Sequence, residues 1–248
     1  MATVLSGTSG ALYYKPAGTS VTTLSATDFP ATGSDIQVGT YLGFKVNDPV
    51  TLAYPAGATT TNAIAAGDYF ILTYDATTGV ATISSTEGGA AETATAQPSA
   101  FGSEFASLTY TNFEAVGDVR EWSFEITRDE IDVTTIGQSL GQYAPFKTYI
   151  TGFADGSGNA MVYTTDDDST IATRLVEDVI QRNQTGVQFK LYIDRVVVSG
   201  TVNDTQSRSV ELEAVLTSAN FTVNPDDAQM IDVAFRPSAA PSFDLTKS

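Results

Sequence analysis

With no cysteine and no histidine among its 248 residues, this chain has neither thiol nor imidazole, and what remains foremost is an acidic carboxylate surface. Two carboxylate groupings stand out. The pairs Glu121/Glu125 and Glu211/Glu213 supply the two carboxyl groups that glycoside hydrolysis needs, without thiol or imidazole. Asp155-Gly-Ser-Gly-Asn159, followed by Asp166-Asp167-Asp168, offers oxygen ligands of the kind calcium takes. Each has a plainer reading. Spacings of two and four place the glutamates on one face of a strand, its solvated side. The Asp-Gly-Ser-Gly run is a good turn, and the EF-hand spacing with its closing Glu is missing. The Asp triplet precedes a helical pattern, where anions suit the positive end of the helix. No Gly-rich phosphate loop occurs. The missing cysteines exclude disulfides, thiolate nucleophiles and Cys-ligated zinc or iron–sulfur centres, and the missing histidines exclude Ser-His-Asp chemistry and His-ligated metals. The expectation is a protein without catalytic residues, cofactor or metal.

The elements that would carry these side chains are mostly strands. Arg120-Glu-Trp-Ser-Phe-Glu-Ile-Thr127 alternates strictly, with Trp122, Phe124 and Ile126 on one face and Glu121, Ser123 and Glu125 on the other. Residues 187–194 and 209–216 alternate in the same way, the mark of antiparallel sheets with one buried and one wetted face. Further strands are expected at 131–136, 149–153, 160–165, 196–199, 220–223 and 231–235. One stretch differs: Ile171, Leu175, Val179 and Ala172, Val176, Ile180 form the stripe of an amphipathic helix over 170–183, with Asp167, Asp168 and Ser169 as N-cap candidates and Gly186 beyond its end. The lone Trp122 lies on an apolar strand face and reads as core.

Charge divides the chain. Residues 1–110 hold two basic and eight acidic residues; residues 111–248 hold ten and twenty-one, for a net charge of −17 overall. That balance excludes binding nucleic acid by phosphate neutralisation. The first part is rich in Ala, Thr and Gly. It shows short β-prone runs around the turn Asn47-Asp48-Pro49, a hairpin of 68–74 and 80–84 about 75–79 with Gly79 at positive φ, and a loop over 86–98. The N-terminus has no basic and apolar leader pattern, and no run of about 18 apolar residues occurs, so the expectation is cytoplasmic assembly without a membrane span. Residues 237–248 read as an extended tail.

Val119-Arg-Glu-Trp122-Ser-Phe-Glu-Ile-Thr-Arg-Asp-Glu-Ile-Asp132-Val-Thr134-Thr135-Ile-Gly137 resembles the signature of tailed-bacteriophage major tail tube proteins: a Trp-bearing strand, a charged turn, then an Ile-Asp-Val-Thr-Thr strand. The family's later aromatic or apolar pair, Gly and Asp-x-Ser-Gly turn correspond to Tyr149-Ile-Thr-Gly152-Phe-Ala-Asp155-Gly-Ser-Gly158. The similarity spans roughly 115–236 together with Ala11-Leu-Tyr-Tyr-Lys15. It departs from the family in the long stretch from about 18 to 113.

The resemblance implies a mainly β fold: an antiparallel β-sandwich or barrel-forming core with one packed α-helix, plus an inserted small β-module. The core would be 1–17 and 114–236, the insert 18–113 and the tail 237–248. It further implies a structural virion protein of a viral tail, not an enzyme. Homo-hexameric rings would stack into a tube by self-assembly, contacting terminator, tape measure and tail tip proteins, with viral DNA passing through the lumen unbound during ejection. The segment between the Thr-Thr-Ile-Gly strand and Gly152 is the kind that reaches the adjacent ring. Glu121, Glu125, Glu211 and Glu213 are the candidate lumen acids, with the outer surface equally open to them at this point. A β-rich adhesion or carbohydrate-binding surface module is the alternative reading of the same composition, and a two-carboxylate glycoside hydrolase a third.

Overall fold

The structure, a computed structural model, describes residues 10–117, 119–134, 147–163, 170–222 and 229–246. In chain order its strands are β1 (Ala11–Lys15), β2 (Ser20–Leu24), β3 (Ile36–Gln37), β4 (Pro49–Ala53), β5 (Gly67–Asp75), β6 (Val80–Ser84), β7 (Ala106–Tyr110), β8 (Glu114–Ala115), β9 (Val119–Asp132) and β10 (Tyr149–Tyr163). Helix α1 (Thr170–Glu177) follows, then β11 (Gln188–Asp194), β12 (Val197–Val198), β13 (Thr201–Val202), β14 (Arg208–Thr222), β15 (Met230–Pro237) and β16 (Ser242–Asp244). Every pairing is antiparallel, and the fold is mainly β as expected. Among the described residues no helix is long and apolar enough to cross a membrane.

One sheet runs β8-β1-β11-β14-β15-β10-β9 and curls over a core of Leu12, Tyr14, Phe189, Leu191, Leu212, Leu216, Val233 and Phe235. These are the inward positions of alternating strands, and the Phe189 and Phe235 rings stack with centroids 4.5 Å apart. Leu175 of α1 is buried in the same cluster, with Ala172, Val176 and Val179 packed against it, so the helix closes the buried face of the sheet. A second sheet, β2-β7-β4-β5-β6-β3, encloses a separate cluster drawn entirely from residues 21–108. Its β5–β6 hairpin has the expected turn: Gly79 takes φ +75°, and Asp75 Oδ1 accepts the Thr77 and Thr78 amides. The expected β-prone run before Asn47 is irregular, because it forms the contact with α1 described below.

Three expected interruptions are continuous strand. Residues 128–130, read as a charged turn, lie inside β9. Asp155-Gly-Ser-Gly158, read as a turn, lies inside β10, which also absorbs the expected strand at 149–153 and residues 160–163 of the one expected at 160–165. The expected strand 209–216 and residues 220–222 of the one expected at 220–223 are joined as β14, with an irregularity between Leu216 and Ser218. Close approach explains the two glycines of β10. A Cβ on Gly158 would meet the Phe235 ring at 2.2 Å, and one on Gly156 would meet Pro237 Cγ at 2.7 Å. The tail is also partly ordered, since β16 pairs with β14 at 209–211.

The helix is shorter than its stripe. It ends at Glu177, and the next amides bond three residues back, Val179 to Val176, Ile180 to Glu177 and Gln181 to Asp178. Ile180, expected on the buried stripe, is 86 % exposed. The reason lies in Asp178, whose carboxylate is drawn inward to accept the Tyr14 hydroxyl and the Ala17 amide. The expected N-cap residues 167–169 lie outside the described residues, and Gly186 (φ +87°) serves the turn into β11, against Ser20.

Two outcomes follow from this packing. Gly158→Ala should destabilise the protein by about 1–3 kcal/mol in urea unfolding, because the Phe235 ring must move, while Ser157→Ala on the exposed face changes it by less than about 0.5 kcal/mol. Burial pushes the Asp178 carboxyl above the usual carboxylate range, although the hydrogen bonds from Tyr14 and Ala17 and the charge of Arg174 oppose it. A folded value above the unfolded one means the folded state binds the extra proton in that window. Stability from this group is therefore present below the unfolded value and lost as pH rises through the folded one. Measured against Asp178→Asn, wild-type stability should rise as pH falls from about 7 towards about 4.

Candidate functional site: an open sheet face and a projecting arm

The curled sheet is covered on one face only. Register and alternation place its exposed side chains in cross-strand rows. Tyr13, Lys190 and Glu211 form one row, and Lys15, Gln188 and Glu213 the next. Further round, Glu121, Met161, Asp232 and Asn220 form a row, Ser123, Asn159, Ala234 and Ser218 another, and Glu125 sits opposite Ser157. Glu121, Glu125, Glu211 and Glu213 are all exposed and share this face, although the two pairs lie at different parts of the sheet.

The face is acidic but not uniformly so. Lys190 Nζ lies 3.0 Å from Asp204 and 3.9 Å from Glu211, and Arg236 lies 3.5 Å from Asp155. Lys15 and Lys190 both stand over the Phe113 ring. Burial pushes the Lys15 ammonium below its ordinary range, with Lys190 adding to the effect and Glu211 opposing it. These cations were not part of the sequence argument, because nothing in their local spacing ties Lys15 to Lys190 or either one to Glu211. Trp122 is half-buried against the core and also lines a shallow cleft with Gly10, Arg120, Glu121 and Tyr192.

Beyond the core, β9 and β10 run on together as a two-stranded arm. Ile131 pairs with Ile150, and both are half exposed, as are Ile126 and Tyr149. Phe153 is 88 % exposed at the register shift between Thr151 and Ala154. The outer edge of β9 has no strand partner among the described residues, and neither has the edge of β14 facing away from β15 over 217–222. Alternation predicted the inner residues of β9, but the exposure of the arm's apolar residues depends on where the core ends.

The residues of the family-like motif have local structural work. Asp132 Oδ1 accepts the Thr134 amide at 2.9 Å and its hydroxyl at 2.5 Å, Lys147 lies 3.1 Å away, and the Thr134 hydroxyl oxygen accepts the Thr148 amide. The Thr134 hydroxyl and amide, then Lys147, hold the Asp132 carboxyl below its ordinary range. Together they clip β9 to β10 at the far end of the arm. A Cβ on Gly152 would meet Asp129 Cβ at 2.9 Å, so glycine permits the close crossing there. Asp155 accepts its neighbour's amide and pairs with Arg236. Thr135 and Gly137 lie outside the described residues, as do Asp166–168. Among the described residues no group of three or more acidic side chains is placed to hold a metal ion.

No protein-family model matches the chain, and no curated protein matches it in sequence. Among solved structures, its backbone is similar to a chain in the virion of a native gene transfer agent particle, with a TM-score of 0.39 and 15 % identity over 53 % of this chain and 88 % of that one. It is similar also to a chain in the tail of an empty particle of the same kind, solved with helical refinement and C6 symmetry, with a TM-score of 0.39 and 15 % identity over 53 % of this chain and 86 % of that one.

Proposed function

We propose that this chain is a structural protein of a virion tail, the major tail tube subunit. Six copies form a ring, rings stack into a tube assembled in the host cytoplasm, and the viral genome passes through the lumen during ejection. In this reading 1–17 and 114–236 form the tube wall, 18–113 is an inserted module, and the ends of the tube meet terminator, tape measure and tail tip proteins.

The observation that carries the reading is a sheet covered on one face only and left open along β9. A 14-residue strand whose outer edge has no partner among the described residues is a pairing hazard that natural proteins blunt or cover. Two different open edges on one chain, on β9 and on the distal half of β14, suit head-to-tail pairing, which closes into a ring when the rotation allows. Closure of the sheets into one barrel would satisfy those edges and turn the exposed face inward. The acids on that face then repel DNA phosphates, so that the genome slides instead of sticking. Lys190 and Arg236, being paired with carboxylates of the same subunit, weaken this field without reversing it. The apolar arm supplies contact between stacked rings, since burying Ile131, Ile150 and Phe153 stabilises an interface by roughly 1.5–3 kcal/mol per side chain.

Electron microscopy of the purified protein tests the reading directly: rings or tubes with a central channel are expected, whereas a persistent monomer that binds glycans would favour the adhesion module instead. In Ile150→Asp/Phe153→Asp, rings should remain and tubes should be lost. With Glu121, Glu125, Glu211 and Glu213 all changed to Lys, tubes should form normally but genome delivery should slow by about tenfold or more, because phosphate contacts now release counterions. Delivery at the wild-type rate would place these acids elsewhere or remove charge from the mechanism.

A further inference from the structure

Residues 18–113 hang on the remainder of the chain by two short links, an arrangement that by itself would leave the module free to swing. The contacts at its base are of a different kind. Arg174 of α1 is 4 % exposed and bonds Asp48 Oδ1 and the Gly43 carbonyl, both across the junction. Asp48 is itself buried, and its second oxygen accepts the Lys45 amide at 2.8 Å. Burial pushes the guanidinium pKa down, but the hydrogen bond and charge of Asp48 outweigh it, so that Arg174 is held above its ordinary range. One turn later Asp178 accepts the Tyr14 hydroxyl and the Ala17 amide, fixing the helix to the end of β1 where the chain leaves for the module.

Backbone contact completes the joint. The Gly18 amide donates to the Thr185 carbonyl at 3.0 Å, and a Cβ on Gly43 would lie 1.9 Å from the Ala17 carbonyl oxygen. Gly18, at φ +67°, has the Asn183 carbonyl oxygen at 2.8 Å from its own Cβ position. At the rim, Lys45 pairs with Glu177, the Gln181 side-chain Nε2 donates to the Tyr41 carbonyl, and Arg182 stands over the Tyr41 ring. On the return link, Tyr110 donates to Glu114, and Arg174 lies 5.8 Å from the Tyr110 ring centroid.

We propose that this buried clasp locks the inserted module to helix α1, so that residues 18–113 move and unfold as one body with the curled sheet and are not a tethered decoration. The physical reason is the desolvation of Arg174. Among the described residues its Nε lacks an acceptor, and residues on both sides of the junction keep the guanidinium from water, so removing Asp48 alone would leave a buried charge that only opening the junction could hydrate. The proposal rests on reading 18–113 as an insert, and it holds for the single subunit whether or not tubes form.

The test uses the full-length chain and two local probes. Trp122, the single tryptophan, reports the curled sheet by fluorescence, and hydrogen exchange of the β5–β6 amides reports the module. In the wild type both should lose structure at the same urea concentration. In Asp48→Asn the β5–β6 amides should exchange about tenfold faster or more, while Trp122 keeps its native signal. If Asp48→Asn leaves no folded protein, the pair Arg174→Met/Asp48→Leu replaces the ions by apolar contact and should restore a single coincident transition. Separate transitions in the wild type, unchanged exchange in a folded Asp48→Asn, or separate transitions in the apolar pair would each overturn the clasp. None of these results bears on whether the protein forms tubes.

Discussion

Strand β14 is the piece on which the sheet depends. Its first half pairs with β11 on one edge and β16 on the other, and its second half pairs with β15. Backbone groups buried away from water must be hydrogen-bonded, so a single 15-residue strand with different partners along its length joins the β1/β11 side to the β9/β10 side in one ladder. Where β11 gives out, Gln184 takes over: its side chain accepts the Leu216 amide at 2.7 Å and donates to the Leu216 carbonyl at 3.3 Å. Beyond that point the β14 edge is open. The curl of the sheet, the core inside it and the open edge that the proposed assembly uses all follow from this division of partners.

The helix then decides which face is which. Because Leu175 of α1 joins the same buried cluster as Phe189, Leu212 and Phe235, the opposite face is left to water, and polar side chains occupy it. Carboxylates dominate there, but lysines sit among them at fixed distances. A surface of this kind has a net field and also local order: Lys190, set between Asp204 and Glu211, holds acids in place that would otherwise repel one another. The overall charge of −17 is therefore a poor guide to the local potential, since it counts acids of residues 18–113 and of the curled sheet alike.

That module has its own core, and its attachment is electrostatic as well as covalent. Ion pairs of this sort are costly to break and of modest net benefit over apolar packing, so their usual advantage is geometric. Asp48 and Arg174 are 126 residues apart, and nothing around either one announces the other. A hint existed in the helix, where Arg174 and Asp178 stand four residues apart beside Leu175, polar residues on the inward side of an amphipathic pattern. Such a position calls for partners, but it does not name them.

The sequence by itself determined the strand faces of β9, β11 and β14, the β5–β6 hairpin and its Gly79 turn, the presence of one amphipathic helix, and the absence of thiol and imidazole chemistry. These are local properties: period-two alternation, a 3.6-residue stripe, a turn residue able to take positive φ, and composition. Only the tertiary structure decided that Asp155-Gly-Ser-Gly158 and residues 128–130 are extended strand, that the helix stops at Glu177, and that Glu121, Glu125, Glu211 and Glu213 share one open face with lysines among them. A glycine looks the same in sequence whether it turns the chain or admits a ring. Gly158 is strand because Phe235, 77 residues away, occupies the space its side chain would fill. Helix length, likewise, was set by Tyr14 and Ala17 drawing in Asp178, a contact over more than 160 residues that no local window contains.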